Sequence, residues 1–168
     1  MGTGEGSFLN QLAITGGRFG FDIAKDGIQM ASEYTDLASF FSLADLTNLP
    51  FADQSMTTVL NIFTPSNYKE FKRVLTSSGQ VIKVIPDRFY LQELRQAFGM
   101  TVDYDNQAVI ERFKEEFPKN TQQTIDYTFE IPENLRQDFL LMSPLEWSVS
   151  EERKKFAKEN PPKTARIH

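Results

Sequence analysis

The chain has 168 residues, 40% of them hydrophobic and 24% charged, with a formal net charge of −5. That size supports one domain with a sizeable core, and no stretch approaches the ~18 apolar residues of a membrane span. The lack of cysteine excludes disulfides, thiol catalysis and cysteine-bound zinc here, and the single histidine, the terminal His168, excludes a His triad and a His-rich metal site.

The acidic balance also weighs against a nucleic-acid module that works by general charge. The basic concentration at 150–168 (Arg153, Lys154, Lys155, Lys158, Lys163, Arg166) reads as a solvated helix face. His168 reads as solvated, and the polar, glycine-rich start does not read as a signal peptide.

The chain opens MGTGEG, a turn-forming stretch of the kind that approaches a ligand. Residues 7–13 (SFLNQLA) carry apolar side chains at helical spacing, and Gly16-Gly17 breaks the pattern. A short strand follows at 18–23 (RFGFDI), then a helix at 24–34, then a strand at 39–43 (SFFSL) closed by Ala44-Asp45. Residues 57–63 (TTVLNIF) read as a buried strand, 67–75 as a helix, Ser78-Gly79 as a turn, and 80–85 (QVIKVI) as a strand stopped by Pro86. Later, 88–98 and 106–117 read as helices, 124–131 (TIDYTFEI) as a strand, 134–141 and 150–158 as helices, and 164–168 as the start of a strand. Strands separated by helices predict an α/β fold, a doubly wound and mostly parallel sheet with helices on both faces.

Gly2, Gly4 and Gly6 alternate with side-chain-bearing residues, and Asp22 follows Gly2 by 20 residues at the end of the next strand. A carboxylate there can accept hydrogen bonds from both ribose hydroxyls of an adenosine-type cofactor. The G-x-G-x-G spacing is one residue shorter than the dinucleotide fingerprint, and Glu5 inside the loop would repel a pyrophosphate. A sulfonium-bearing cofactor tolerates that carboxylate, so the charge pattern favours S-adenosyl-L-methionine over NAD. Asp45, at the next strand end, could accept from an adenine amino group or could open a turn before Leu46-Thr47.

With LPFADQSMTTVLNIF (49–63) the chain resembles class I S-adenosylmethionine-dependent methyltransferases, and in detail the bacterial 23S ribosomal RNA guanine-N1 methyltransferase family. The matching stretches are MGTGEGSFL (1–9), GFDIAKDGIQMA (20–31), LPFADQSM (49–56), NIFTP (61–65), RVLTSSGQVIKVIP (73–86), LQEL (91–94) and LLMSPLEW (140–147). The last of these is the narrowest signal. The resemblance implies cofactor contacts at Gly2, Gly4, Asp22 and Asp45, in a set that takes in Glu5, Gly6, Ile23, Leu46 and Asn61. It implies that 61–65, with Asn61, Thr64 and Pro65, borders the site of methyl transfer. It also implies a Rossmann-like methyltransferase domain over 1–168, a cytoplasmic location and 23S ribosomal RNA as partner. Neither a metal site in this chain nor a membrane is expected, and a homodimer is left open.

The sequence departs from that family in places. Thr57 stands where many relatives have an aspartate, and Tyr90 where relatives often have a histidine. The family's N-terminal zinc module and the strand leading into the glycine loop are missing, and the closing strand is cut at Ile167-His168. The expectation is a segment of a longer protein, marginal in stability alone and a better ligand for the cofactor than for RNA. Guanine N1 must shed a proton on attack, and no single base is named by the sequence. Phe63, Phe89, Tyr90 and Trp147 are candidate stacking platforms for an unstacked base, with Phe63 otherwise a core residue and Trp147 a packing plug. Rival readings are a small-molecule or quinone-type methyltransferase, a NAD-dependent oxidoreductase and a non-enzymatic remnant of the fold.

Overall fold

A computed structural model describes residues 2–33, 39–100 and 105–168. The chain divides into two units, Met1–Val84 and Ile85–His168. In the first, α1 (Ser7–Gln11), β1 (Arg18–Asp22), α2 (Lys25–Ala31) and β2 (Ser39–Leu43) precede β3 (Met56–Ile62), α3 (Tyr68–Val74) and β4 (Leu75–Val84). The expected helix at 24–34 ends at Ala31, and its last expected residue, Tyr34, lies outside the described residues, as does Met1 of the glycine loop.

Both ladders of this unit are parallel. β1 pairs with β2 from Arg18↔Ser39 to Asp22↔Leu43, and β3 pairs with β4 so that Asn61 lies opposite Lys83. The partner of β3 jumps from Leu75 opposite Met56 to Gln80 opposite Thr58. That irregularity absorbs 76–79, so Ser78 and Gly79, expected in a turn, lie within β4 instead. Among the described residues the strands form three two-stranded sheets, where one continuous sheet was expected.

Burial binds the two parallel pairs into one core. Phe21 of β1, Val59 of β3, Phe71 and Val74 of α3, Leu75 of β4 and the loop residue Leu49 form a single buried cluster. α3 supplies its centre because YKEFKRV sets Phe71 and Val74 three residues apart on one helix face. Its start is fixed by Asn67, whose side chain accepts from the Glu70 N–H at 3.3 Å. Burying each large apolar side chain contributes roughly 1.5–3 kcal/mol.

The second unit contains α4 (Gln92–Ala97), α5 (Gln107–Glu116), β5 (Tyr127–Glu130), a 3-10 turn (Glu133–Leu135), α6 (Arg136–Leu141), a second 3-10 turn (Pro144–Ser148), α7 (Glu151–Glu159) and β6 (Thr164–Ile167). Leu91, Leu94, Phe98, Leu140 and Ala157 form its core. β5 and β6 pair antiparallel, from Tyr127↔Ile167 to Glu130↔Thr164. Arg166 fastens the pair: its guanidinium donates to both oxygens of Asp126 at 2.8 and 2.7 Å, and its backbone N–H donates to Glu93 at 3.1 Å. The charged hydrogen bonds hold the Asp126 carboxyl below its ordinary range.

Two expectations are corrected here. His168 is not solvated: its side chain is 18% exposed, its ring stands edge-on to Phe89 at 5.1 Å, and Nδ1 lies 3.1 Å from Asp87. Trp147 is not a packing plug, because it is 81% exposed. Ser143 accepts from the Leu145 N–H and starts the 3-10 turn that carries Trp147 outward. No helix among the described residues is long and apolar enough to cross a membrane.

Candidate active site

The glycine loop is built onto the end of β1. The Thr3 N–H donates to the Phe21 carbonyl at 3.1 Å, and the Gly6 N–H donates to the Thr3 carbonyl at 2.9 Å. Gly2 and Gly4 take left-handed φ values of 59° and 54°, a conformation that costs a side-chain-bearing residue about 1–2 kcal/mol. A methyl group at Gly2 would run into the Thr64 side chain, whereas the same addition at Gly4 would meet open space. The loop therefore touches the segment after β3 at one glycine and faces space at the next.

Asp22 holds this loop directly. One carboxylate oxygen accepts from the Gly4 N–H and the other from the Ala24 N–H, each at 2.9 Å. Ile23, beside it, is 77% exposed. Glu5 is half-buried and Gly6 buried against Phe41 and Ala31. Asp45 follows at the end of β2, tied in by the Ala44 N–H donating to the Asp22 carbonyl at 3.1 Å. One oxygen of Asp45 accepts from the Thr47 N–H at 2.8 Å, the turn-opening arrangement. Leu46 is half-buried, and its carbonyl accepts from Asn67 at 3.2 Å.

After β3 the chain turns through 61–66. Asn61 is fully buried and its amide is committed within this turn. Its Nδ2 donates to the Thr64 hydroxyl at 2.6 Å and to the Pro65 carbonyl at 3.0 Å, while its Oδ1 accepts from Ser66 at 3.1 Å and from Lys83 at 2.6 Å. Burial lowers the Lys83 pKa below the ordinary lysine value. Phe63 has φ 52° and is 49% exposed. The left-handed backbone carries that ring outward, so the core reading of Phe63 is corrected.

A third loop, LPFADQ at 49–54, is fastened by Arg73 of α3. The guanidinium donates to the Leu49 and Phe51 carbonyls at 3.0 and 2.7 Å, to Asp53 at 2.8 Å and to both oxygens of Glu70. Glu70, which is buried, also accepts from the Leu49 N–H at 2.8 Å. The hydrogen bonds from Arg73 and then Leu49 outweigh burial and hold the Glu70 carboxyl at about 2. Among the described residues no group of three or more acidic or imidazole side chains could hold a metal ion.

A family model described as a methyltransferase domain matches residues 1–84, the unit that carries all three loops. The chain belongs to the methyltransferase domain family. A Bacillus subtilis (strain 168) protein named "Putative 23S rRNA (guanine-N(1)-)-methyltransferase YxjB" is 38% identical over 170 residues, covering 94% of this chain and 59% of that protein. The Streptomyces fradiae 23S rRNA (guanine(748)-N(1))-methyltransferase is 26% identical over 129 residues, covering 75% of this chain and 46% of that protein. The chain thus spans about half the length of these two relatives. Among solved structures, the YcgJ protein from Bacillus subtilis matches with a TM-score of 0.60 at 15% identity, over 99% of this chain and 85% of that one. Together with the family match, that likeness supports a class I, Rossmann-like fold.

Within this methyltransferase domain the structure brings Gly2, Gly4 and Asp22 to one loop and sets Thr64 against it. Asp45 and Leu46 stand at the neighbouring strand end, joined to Asp22 through Ala44. Sequence reasoning missed Lys83, Glu70 and Arg73. A lysine amid the apolar run QVIKVI was a usable signal, because such a position in a buried strand needs a polar partner.

Proposed function

We propose that this domain transfers the methyl group of S-adenosyl-L-methionine to a ring nitrogen of guanine, N1, in 23S ribosomal RNA, in the cytoplasm. The observation that carries the substrate is the 38% identity, over 94% of this chain, to a relative named for that reaction. The geometry supports the cofactor: left-handed glycines, open space over Gly4 and a carboxylate pinned at the same loop suit an adenosyl ligand. Gly2, Gly4, Glu5 and Gly6 would line it, Asp22 and Ile23 would meet its ribose side, and Asp45 and Leu46 its base.

When bound, the cofactor supplies an electrophilic methyl group on a sulfonium. The chain's contribution is alignment, which can be worth roughly 7–11 kcal/mol. Thr64, packed against Gly2, links the cofactor loop to the acceptor loop. Asn61 acts by holding 61–66 in shape, because its amide groups are spent there. Pro65 and the outward Phe63 ring form the wall against which an unstacked base would lie.

The test is transfer of labelled methyl to unmodified 23S ribosomal RNA, followed by nucleoside analysis. Label in N1-methylguanosine is expected. Asp22→Ala should weaken S-adenosyl-L-methionine binding at least about tenfold, or roughly 1.4 kcal/mol, by calorimetry. The net charge of −5 favours a second reading, a small organic acceptor. Label found in an organic extract and absent from RNA would replace the first reading with that one.

A further inference from the structure

Lys83 stands directly opposite Asn61 in the parallel ladder of β3 and β4 and turns its ammonium into the 61–66 loop. The nitrogen lies 2.6 Å from Asn61 Oδ1, 2.7 Å from Ser66 Oγ and 3.4 Å from the Thr64 carbonyl. An ammonium has three donors, and these three acceptors all belong to one turn. Among the described residues its hydrogen-bond partners are neutral oxygens, not a carboxylate. A charge is costly to draw from water, so a cation placed among neutral acceptors argues for a task beyond filling space.

The rest of the turn explains the task. Asn61 ties its own ends together through Thr64 and Pro65, but Ser66 and the Asn61 oxygen are joined to β4 by Lys83. Phe63 sits in a left-handed conformation that costs free energy and persists only when its surroundings hold it. Thr64 in the same turn abuts Gly2 of the cofactor loop.

We propose that Lys83 is a positioning residue for methyl transfer, the cationic tie that fixes the acceptor loop 61–66 against the cofactor loop. The proposal rests on the methyl-transfer reading. It assigns Lys83 no contact with cofactor or base. It acts through Asn61, Thr64 and Ser66.

The chain has no cysteine, so Lys83→Cys introduces one thiol that 2-bromoethylamine converts into a lysine isostere. A thiosulfonate that adds only an S-methyl group is the uncharged control. Lys83→Cys is expected to lower kcat about 10²-fold, with KM for RNA and the calorimetric Kd for S-adenosyl-L-methionine changed less than about threefold. Aminoethylation should restore kcat and S-methylation should not. Amide hydrogen exchange in a peptide spanning 61–66 should speed up in Lys83→Cys and slow again after aminoethylation.

Unchanged kcat with unchanged exchange overturns the proposal. So does equal recovery with the S-methyl group, because bulk alone would then suffice. If the unsubstituted protein transfers methyl neither to RNA nor to an organic acceptor while exchange still follows the ammonium, the methyl-transfer reading falls and the tie between Lys83 and the loop stands.

Discussion

Among the described residues of 1–84, two buried polar side chains, Asn61 and Glu70, are supplied with several partners each, whereas among those of 85–168 the buried core is apolar around leucine and phenylalanine, with Ser143 as its buried polar group. The first half spends its buried polarity on loops: Asn61 shapes 61–66, and Glu70 with Arg73 shapes 49–54. In the second half, charged pairs such as Arg112–Glu115 are exposed, where solvent screening leaves them little net value. The contrast teaches where function is invested, because the family match falls on the half whose polar groups are buried.

Core truncation gives the largest expected effect. Phe71→Ala should cost about 3–5 kcal/mol and Leu94→Ala about 2–5 kcal/mol, read by urea unfolding. With hydrogen exchange read separately over 1–84 and 85–168, each substitution should lower protection chiefly in its own half. Equal loss in both halves after either change would break the comparison.

Acid titration comes next. The Glu70 carboxyl is held at about 2, against an ordinary 4.5, chiefly by the Arg73 hydrogen bonds. A depressed carboxylate stabilises the fold above its unfolded pKa and loses that contribution as pH falls through the folded value. The urea midpoint should therefore drop between about pH 4.5 and 2, and Glu70→Gln should flatten the curve over that window. An identical curve for the variant would show that Glu70 carries none of the acid sensitivity.

The smallest effect is expected at the most conspicuous aromatic. Trp147→Ala should change stability by no more than about 0.5 kcal/mol, because the ring is largely solvated. A loss above about 2 kcal/mol would mean that the second half uses this ring as core.

Local features were the most readable in the sequence. Residues 39–43 form β2 as expected from SFFSL, and Asp22 ends β1 where its spacing from the glycines predicts. The parallel pairing of β1 with β2 and of β3 with β4 follows from the strand–helix alternation. What lay hidden depends on cross-chain register. Lys83 meets a partner 22 residues earlier, and no pattern within QVIKVI specifies that Asn61 will be opposite. Arg73 reads as a basic residue near a helix end, although its work is to gather carbonyls from 49–51. Phe63 looks apolar and internal until its left-handed backbone turns the ring around.

The Asn61–Lys83 rung also polices the alignment of its own ladder. Were β4 to slide by one residue, Ile82 or Val84 would arrive beside a fully enclosed amide, and the lysine would swing to the opposite side of the sheet. The amide oxygen would keep Ser66 but lose its charged donor, a hydrogen bond worth about 1.5–3 kcal/mol. The rung thus serves as a registration pin, penalising slipped pairings because the amide it satisfies is enclosed.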